Sequence, residues 1–525
     1  MDNYNTDVSA SRLALSESFN VATYFVDRNV EDGRGQQLAV LCGDQQLSYA
    51  EVLNLVNRAG NVLAQKGLRK GDRIVILLPD SPNFVASFWG AIKIGAVPIP
   101  MNTLLTGEEY AFMLRDSGAR ALIVDGSLLE KVAPHLPSLP NLTATLAVGR
   151  NQLAFESFEN LLEGASSQLT PAPTRPEDPA FWLYTSGSTG TPKGAIHQHR
   201  DMVHCFESYA KGILRITAQD RVFSASKLFF AYGLGNALYF PLGVGASTIL
   251  LPERATAEKA FQVIDRYRPT LFFAVPTLYA AMFQVPDAEK QYDLSSVRCA
   301  VSAGEALPAA LWEKFHERFG ITILDGIGST EMLHIFISNR LDDAKPGSSG
   351  RIVPGYEAKI TAEHGNEAAP GEIGNLWVRG KSAAAGYWNR PEQTRATFVG
   401  GWTMTGDKYI GDENGYFWYC GRTDDMLKVS GMWVSPVEVE NAILAFPSVA
   451  ECAVVGTCDA DGLTKPKAFV VPSASAPPPE QLENQLREFL RTKLAGYKMP
   501  RWFVFTESLP KTATGKIQRF KLRQS

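Results

Sequence analysis

An eleven-residue stretch, YTSGSTGTPKG from Tyr184 to Gly194, has the side chains needed to hold a polyanion. Its serines and threonines can donate hydrogen bonds, its glycines let the backbone approach a ligand closely, and Lys193 adds a positive charge. The stretch is not a Walker A loop, because Pro192 stands where that motif requires glycine. A surface linker is the alternative interpretation. The composition favours a phosphate-binding loop.

Two histidines, His197 and His199, follow this stretch in an H-x-H spacing that could ligate a metal ion. We place no third or fourth ligand for such an ion, so we expect structural or pocket-wall roles for both. A third histidine, His334, stands alone in the stretch TEMLHIF, and such a residue is often a satisfied group of the core.

The pattern of apolar residues predicts the elements that carry these side chains. From about residue 38 to 300, short β-branched runs such as DRIVILLP and TLFFAVP alternate with longer helical stretches, which predicts a largely parallel sheet covered on both faces. After residue 350, glycine punctuation and short alternating runs predict an antiparallel, barrel-like subdomain. From about Asp424, two helices and two strands around a proline-rich loop predict a small α+β domain.

The length of 525 residues predicts several folding units, since a single core stops growing at roughly 250 to 300 residues. An apolar fraction of 45% and a charged fraction of 20% are typical of globular proteins and exclude disordered, collagen-like and coiled-coil chains. A net charge of -4 gives no electrostatic reason to expect nucleic acid or an anionic membrane as partner. A small-molecule function fits better.

The sequence carries signals for the compartment and for membrane contact. The six cysteines are dispersed without a C-x-x-C pair, which favours a reducing compartment, and the first twenty residues lack a signal-peptide pattern. The apolar stretch Phe84–Met101 is broken by Lys93, glycines and prolines, which predicts a buried helix leading into a strand. We therefore expect a cytoplasmic protein with no membrane partner.

Six motifs occur in the order in which the adenylate-forming superfamily carries them, and the chain resembles that family. It includes acyl-CoA and aryl-CoA synthetases, nonribosomal adenylation domains and luciferases. The motifs are YTSGSTGTPKG, SAGEAL (302–307), DGIGSTEM (325–332), TGD (405–407), GRTDDMLKVSG (421–431) and PKTATGK (510–516). More narrowly, KLFFAYGLGN (227–236) and DGIGSTEMLHIF (325–336) resemble the benzoate-CoA ligases of the superfamily.

The resemblance implies an α/β fold with two domains. The large N-terminal domain, residues 1–423, would have mixed and parallel sheets sandwiched by helices, with a β-barrel-like part from about 350 to 423. The small C-terminal domain, residues 424–525, would be a mobile α+β lid.

The resemblance also implies a two-step reaction on an aromatic carboxylate. The carboxylate attacks the α-phosphate of ATP, giving acyl-AMP and pyrophosphate, and the thiolate of coenzyme A then displaces AMP. ATP and coenzyme A would be co-substrates and Mg²⁺ the metal ion. Both transfers build up negative charge, so positioning and electrostatic stabilisation should dominate catalysis.

Nucleotide-binding roles follow from the same motifs. The β- and γ-phosphates would be enclosed by Thr185, Ser186, Gly187, Ser188, Thr189 and Lys193. Thr330 would bond to the α-phosphate, Glu331 would hold Mg²⁺, and Asp407 would accept hydrogen bonds from the ribose, with Arg422 beside it. The adenine would be flanked by Ala303, Gly304, Glu305, Asp325, Gly326, Ile327 and Gly328. Many relatives have an aromatic residue where this chain has Ile327, which weakens the case for stacking on the adenine.

The acyl pocket implied by the resemblance has aromatic and aliphatic walls with a few polar groups. Its residues would be Phe230, Ala231, Tyr232, Gly233, Ala303, Gly304, Ile327, Gly328, His334 and Ile335. Such walls suit a flat, mostly apolar ring, and Tyr232 and His334 could hydrogen-bond a substituent on it. We expect benzoate or a lightly substituted benzoate such as 2-aminobenzoate.

The C-terminal motifs imply a lysine that enters the site and a hinge that moves it. Lys516 would neutralise charge on the reacting carboxylate and α-phosphate, although taken alone it reads as a solvated lysine on a basic tail. Coenzyme A must later reach the same carbonyl group, so the C-terminal domain would rotate about Asp424. After rotation the pantetheine passage would be lined by Lys428, Ser430, Gly431 and Trp433.

Two alternatives stay open at this point. The acyl group could be loaded onto a carrier protein instead of coenzyme A, although no carrier domain is fused within this sequence. Relatives in the superfamily are often dimers, so a homodimer is an expectation by analogy only.

Overall fold

The computed structural model describes residues 15–150, 155–186, 191–429, 432–459, 463–511 and 517–523. A first sheet, the N-terminal sheet, is parallel throughout. Its strands, in spatial order, are Val97–Pro100, Arg73–Leu77, Ala121–Asp125, Ala144–Val148 and Glu156–Ser157.

A second sheet, the large sheet, has nine strands. In spatial order they are Arg351–Ile352, Ile335–Ser338, Ile323–Gly328, Cys299–Ser302, Leu271–Ala274, Arg221–Ser224, Ser247–Leu250, Leu38–Cys42 and Gln45–Ser48. The centre is parallel, whereas the pairs at both ends are antiparallel. The parallel α/β arrangement predicted from the alternating pattern is therefore confirmed, divided between two sheets.

The helices between the strands are mostly short, and several of them begin at a serine or threonine N-cap. The α-helices are Arg28–Glu31, Tyr49–Gln65, Pro82–Lys93, Gly107–Ser117, Leu129–Val132, Phe158–Gly164, His199–Cys205, Ala231–Leu234, Phe240–Val244, Ala257–Tyr267, Pro276–Phe283, Ala288–Gln291, Ala309–Phe319, Pro391–Thr397, Pro436–Leu444, Pro479–Arg491 and Arg519–Leu522. Short π-helical turns are Thr23–Asp27, Phe206–Lys211 and Gly235–Tyr239, and 3₁₀ turns are Gly126–Leu128, Ala133–Ser138, Thr330–Met332 and Gly496–Lys498.

Helix Tyr49–Gln65 shows how the sequence sets one boundary. Ser48 accepts the backbone N–H of Glu51, and the Glu51 carboxylate accepts the N–H of Ser48, which forms a capping box. The helix crosses Pro82–Lys93 at two glycines, because a Cβ on Gly90 would lie 2.8 Å from the nitrogen of Gly60. The apolar stretch that begins at Phe84 is thus a buried helix, as predicted, and it leads into strand Val97–Pro100.

Two smaller β units are antiparallel. Strands Pro179–Ser186 and Pro192–Gln198 form an antiparallel hairpin. The antiparallel sheet contains Tyr356–Thr361, Gly374–Gly380, Phe398–Val399, Trp402–Gly411 and Phe417–Arg422, and its long strand Trp402–Gly411 pairs with three of the others. This sheet lies where glycine punctuation predicted an antiparallel unit.

The C-terminal sheet consists of Val449–Cys458, Thr464–Pro472 and Trp502–Phe505. Helix Pro479–Arg491 buries Leu482, Leu486 and Leu490, spaced four residues apart, in the core beneath this sheet. A short hairpin, Leu427–Val429 with Met432–Val434, precedes it. The predicted helices and outer strands are present, and Thr464–Pro472 is a strand that the sequence interpretation did not identify.

No helix in the described ranges is long and apolar enough to cross a membrane. The same ranges hold no cluster of three or more histidine, cysteine or acidic side chains arranged to bind a metal ion. All six cysteines are free thiols.

Candidate active site

The two ends of the stretch Tyr184–Gly194 belong to the paired strands Pro179–Ser186 and Pro192–Gln198 of one hairpin. Thr185 pairs directly with Lys193 across this hairpin. The hydroxyl of Tyr184 donates to Asp116 Oδ2 at 2.8 Å, which fastens the hairpin to helix Gly107–Ser117. Of the predicted phosphate contacts, Gly187, Ser188 and Thr189 lie outside the described residues. The hairpin thus fixes where both ends of the loop begin.

Lys193 and Glu331 meet at a shared tyrosine, Tyr387. The Lys193 ammonium lies 4.4 Å from the centroid of the Tyr387 ring. The hydroxyl of the same tyrosine donates to Glu331 Oε1 at 2.6 Å. The structure therefore brings the predicted phosphate lysine and the predicted metal carboxylate to opposite parts of one aromatic side chain.

The stretch DGIGSTEMLHIF folds into a hairpin that presents Thr330 and Glu331 at its turn. Strands Ile323–Gly328 and Ile335–Ser338 pair in antiparallel fashion, and Gly328 lies opposite Ile335. The turn includes Leu333 with a φ of 69°, a left-handed conformation that leucine seldom adopts. Both Thr330 and Glu331 are half-buried. The turn therefore places Thr330 and Glu331 side by side at the end of strand Ile323–Gly328 of the large sheet.

His197 is fully buried behind this turn. Its Nδ1 lies 3.0 Å from Asp201 Oδ2, and its Nε2 lies 2.7 Å from the carbonyl oxygen of Thr330. His199 Nδ1 accepts the backbone N–H of Val21 at 3.1 Å, and burial lowers the pKa of His199 to about 4. Both histidines of the H-x-H pair thus contact other groups of the protein through a ring nitrogen.

The two predicted adenine stretches leave the same edge of the large sheet. Ser302 and Asp325 are paired residues on parallel neighbouring strands, so Ala303, Gly304 and Glu305 continue beside Gly326. Gly304 has a φ of 92°, which suits glycine. Burial raises the pKa of the Asp325 carboxyl well above its usual range. Asp325 is thus an interior group at the base of the candidate site.

Asp407 and Arg422 lie opposite each other on adjacent strands of the antiparallel sheet. Arg422 Nη1 donates to Asp407 Oδ1 at 3.0 Å. Gly406, the middle residue of TGD, has a φ of 75°, and a Cβ there would lie 2.8 Å from the Arg422 guanidinium. The two predicted ribose contacts therefore form one ion pair, with glycine needed beside them.

His334, one of the predicted acyl-pocket residues, is buried among aromatic rings, of which only Tyr232 was also predicted. His334, 2% exposed, lies within 6 Å of the ring centroids of Tyr209, Tyr232 and Phe240. Its Nε2 lies 3.0 Å from Asn236 Oδ1. Burial lowers the pKa of His334 to about 3, so the ring is neutral near pH 7.

Tyr232 uses its hydroxyl on the protein itself. The hydroxyl donates to the carbonyl oxygen of Val301 at 3.0 Å, which packs helix Ala231–Leu234 against strand Cys299–Ser302. The proton of Tyr232 is therefore already committed, and only its lone pairs remain for a ligand. Glycine is required next to this helix, because a Cβ on Gly235 would lie 2.4 Å from His334 Cδ2.

Asp80 binds the segment that precedes Phe230 and the pocket helix Ala231–Leu234. Asp80 Oδ1 accepts the backbone N–H of Leu228 at 2.9 Å, and its Oδ2 lies 3.7 Å from Lys227 Nζ. Burial raises the pKa of Asp80 to about 6, partly offset by Lys227. Asp80 lies in the loop after strand Arg73–Leu77, and nothing in its local sequence indicated this contact.

The C-terminal segment contacts the adenine stretch. The N–H of Ile517 donates to Glu305 Oε1 at 3.3 Å, and Lys511 pairs with Ile517. Lys516 itself lies outside the described residues. Asp424 is exposed in a turn after strand Phe417–Arg422, and Arg523 donates to its carbonyl oxygen at 3.3 Å. Ile517, the residue that follows Lys516 in the chain, thus lies beside the candidate nucleotide site.

Lys428 and Trp433 lie together against the antiparallel sheet. The Lys428 ammonium is 5.1 Å from the Trp433 ring centroid, and Lys408 approaches the same ring at 5.7 Å. Trp433 Nε1 donates to Glu363 at 3.0 Å. Ser430 and Gly431 lie outside the described residues. In this arrangement Trp433 contacts the antiparallel sheet through Lys408, and at the same time Ile517 contacts Glu305.

Three contributing residues escaped the sequence interpretation: Tyr387, Asn236 and Asp80. Each stands in a stretch whose local pattern suggests a turn or an apolar helix. Their contacts join positions far apart in the chain, 56 residues for Tyr387 and Glu331 and 98 for Asn236 and His334. The available signal was a single glycine directly before Tyr387 and before Asn236, and such a signal is common.

Comparison with known families matches most of the chain. Residues 26–388 match the model described as AMP-binding enzyme, and residues 438–516 match the AMP-binding enzyme C-terminal domain. The benzoate–CoA ligase of Thauera aromatica is 48% identical over 515 residues, which cover 98% of this chain and 97% of that protein.

Solved structures show the same relationship. The anthranilate CoA ligase AuaEII in complex with anthranoyl-AMP is 43% identical with a TM-score of 0.94, covering 97% of this chain and 98% of that one. A benzoate CoA ligase from Burkholderia xenovorans LB400 is 44% identical with a TM-score of 0.89, covering 96% of this chain and all of that one.

Proposed function

The chain belongs to the family of AMP-binding enzymes, and from this premise we propose that it joins benzoate, or a lightly substituted benzoate such as 2-aminobenzoate, to coenzyme A. It is an AMP-forming acid–CoA ligase. ATP activates the carboxylate as acyl-AMP with release of pyrophosphate, and the thiolate of coenzyme A then displaces AMP. The observation that carries the proposal is the convergence of Lys193 and Glu331 on Tyr387, beside Thr330.

In the first step, the chain's role is to neutralise charge and hold atoms in line. Lys193 and the hydroxyls of its loop bind the β- and γ-phosphates, and Thr330 donates to the α-phosphate. Asp407 accepts from the ribose hydroxyls while Arg422 holds its carboxylate in place. Lys516 neutralises the reacting carboxylate, and the contact of Ile517 with Glu305 supports its arrival at this site.

The donor set fits Mg²⁺ rather than a tightly held transition metal. Glu331 is the one carboxylate at the turn, and its Oε1 accepts the Tyr387 hydroxyl, which leaves Oε2 for a ligand. Mg²⁺ prefers one or two carboxylates together with phosphate oxygens and water. When bound, the ion would neutralise charge on the triphosphate, with Glu331 holding it.

The acid is selected by an aromatic and aliphatic pocket around His334. The neutral imidazole and the apolar side chains suit an uncharged ring. Because the Tyr232 hydroxyl donates to Val301, we assign the contact with a ring substituent mainly to His334. Benzoate and lightly substituted benzoates such as 2-aminobenzoate fit this division.

The second step requires a different arrangement of the C-terminal part, residues 424–525. We propose Asp424 as the pivot, since it lies in an exposed turn between the antiparallel sheet and the hairpin Leu427–Val434. Rotation there would withdraw Ile517 and Lys516 and bring the hairpin residues Lys428, Ser430, Gly431 and Trp433 toward the carbonyl group.

The defining experiment incubates the enzyme with ATP, Mg²⁺ and a panel of acids and follows pyrophosphate release. Benzoate and 2-aminobenzoate should be turned over best, 3- and 4-substituted benzoates less well, and octanoate least. Addition of free coenzyme A should release AMP and produce the thioester. Pyrophosphate release without AMP release would exclude coenzyme A as the acceptor and favour the carrier-protein alternative. Selectivity for octanoate would overturn the aromatic assignment.

Two further expectations complete the proposal. The six free thiols suit a reducing cytoplasm. A homodimer stays a prediction that sedimentation analysis can test.

A further inference from the structure

Tyr387 occupies a position between two opposite charges that both belong to the proposed nucleotide site. Its backbone is fixed beside the lysine strand, because Tyr387 pairs with Ala195 and the next residue, Trp388, donates its N–H to the carbonyl oxygen of Gly194 at 2.9 Å. The side chain is 6% exposed. Its ring faces Lys193 and its hydroxyl bonds to Glu331. The tyrosine thus contacts a cation and an anion through different atoms.

The Lys193 ammonium and the Glu331 carboxylate carry opposite charges and contact the same tyrosine, so they attract each other. A direct Lys193–Glu331 pair would occupy the ammonium protons that the triphosphate needs and the carboxylate oxygens that the metal ion needs. An aromatic face attracts a cation without accepting its protons, and a phenol donates one hydrogen bond to a carboxylate without neutralising it. Tyr387 can therefore satisfy both groups and leave both available.

Resting on the proposed function, we propose that Tyr387 is a positioning residue that holds Lys193 and Glu331 apart as separate ligands for the triphosphate and its Mg²⁺. The hydroxyl of Tyr387 is the donor in its 2.6 Å hydrogen bond to Glu331 Oε1. The ring also packs on Phe398, and that packing is a purely structural contribution.

The substitution Tyr387→Phe separates these contributions, because it keeps the ring and its packing and removes the hydroxyl. The free carboxylate then turns to Lys193. We expect the Mg²⁺ concentration needed for half-maximal binding of an ATP analogue to rise about tenfold, the loss of one charge-assisted hydrogen bond. Calorimetric titration with α,β-methylene-ATP at a series of Mg²⁺ concentrations measures this without turnover. KM for benzoate at saturating Mg²⁺ should change less than about twofold.

A matched control exists elsewhere in the chain. The hydroxyl of Tyr416 also donates to a carboxylate, that of Asp343, and the Lys345 ammonium lies 4.6 Å from the Tyr416 ring centroid. Tyr416 has no part in the proposed site. Tyr416→Phe should leave the Mg²⁺ dependence unchanged, and an equal shift in both variants would overturn the proposal.

A second test combines Tyr387→Phe, which keeps the ring and its packing, with removal of the lysine. In Lys193→Met the cation is gone, so the added substitution Tyr387→Phe should produce no further rise in the Mg²⁺ requirement. If Tyr387→Phe raises the Mg²⁺ requirement as much in Lys193→Met as in the unaltered enzyme, Tyr387 does not act by separating the charges. The same conclusion follows if Tyr387→Phe alone has the Mg²⁺ dependence of the unaltered enzyme. Failure of the unaltered enzyme to bind the analogue with Mg²⁺ would instead refute the proposed function.

Discussion

His197 and Thr330 stand 133 residues apart in the chain, yet His197 Nε2 lies 2.7 Å from the carbonyl oxygen of Thr330. Its Nδ1 faces Asp201 Oδ2, which also accepts the backbone N–H of Gln198. The two ring nitrogens of His197 thus contact two different elements, the helix that carries Asp201 and the turn that carries Thr330. The strand that follows the phosphate loop is thereby fastened to the turn that carries Thr330 and Glu331.

The first prediction follows from this link. His197→Ala removes the support of the Thr330 carbonyl and should slow adenylate formation by roughly 10- to 100-fold, since misplacement by about 1 Å is costly in a positioned reaction. Benzoate-dependent exchange of pyrophosphate into ATP measures the step. Thioester formation from synthetic benzoyl-AMP should fall much less. Equal losses in both half-reactions would show that His197 serves folding alone. The control is His204→Gln, on the helix His199–Cys205 that follows the strand of His197.

The second prediction concerns the division of labour between Lys516 and the hairpin. Lys516→Ala should abolish adenylate formation and spare thioester formation from synthetic acyl-AMP, because the lysine neutralises charge only in the first transfer. Gly431→Trp should do the reverse by blocking the pantetheine passage. Rapid-quench measurement of each half-reaction gives the comparison. A Gly431 variant that is slow in forming the adenylate would contradict the proposed passage.

Much of the fold was predictable from the sequence, because local chemistry set it. Alternation of β-branched runs and amphipathic helices specified the parallel sheets, and Ser48 with Glu51 marked a helix start. The strand Thr464–Pro472 was missed since lysines and prolines occupy several of its positions, and pairing with Val449–Cys458 overrides that weak preference.

Residues of the site could be predicted only where they belong to one of the motifs. The pairing of Asp407 with Arg422 follows from two glycine-marked strands that the motifs already contained. The roles of Tyr387 and Asn236 depend on which distant elements meet, and no local periodicity encodes such a meeting. Tyr232 shows a further limit, because residue type alone did not reveal that its hydroxyl already donates to Val301.

The third prediction uses that last observation. Tyr232→Phe should leave the ratio of kcat/KM for 2-aminobenzoate and benzoate within about threefold of the original, since the lost proton was bonded to Val301 and not to a substituent. His334→Leu should change the same ratio by about tenfold or more, because it removes the polar group of the pocket wall. Steady-state kinetics with both acids test the pair. A large change in Tyr232→Phe with none in His334→Leu would reverse the assignment.

The fourth prediction concerns pH and His334. Burial lowers the pKa of His334 to about 3, whereas an unfolded histidine titrates near about 6.5. Between these values the unfolded chain binds a proton that the folded chain does not, so the stability contributed by the neutral ring is complete above about pH 6.5 and is lost as pH falls.

The measurable consequence is a difference between variants. From pH 7.5 to pH 5, the free energy of unfolding of the unaltered enzyme should fall about 2 kcal/mol further than that of His334→Gln, which lacks the titrating ring. Urea unfolding at the two pH values provides both numbers. His364→Gln removes an exposed histidine and is the control, whose difference from the unaltered enzyme should stay constant. A constant difference for His334→Gln as well would mean that the imidazole is accessible to protons in the folded protein, and the uncharged wall assigned to the acid pocket would then be wrong.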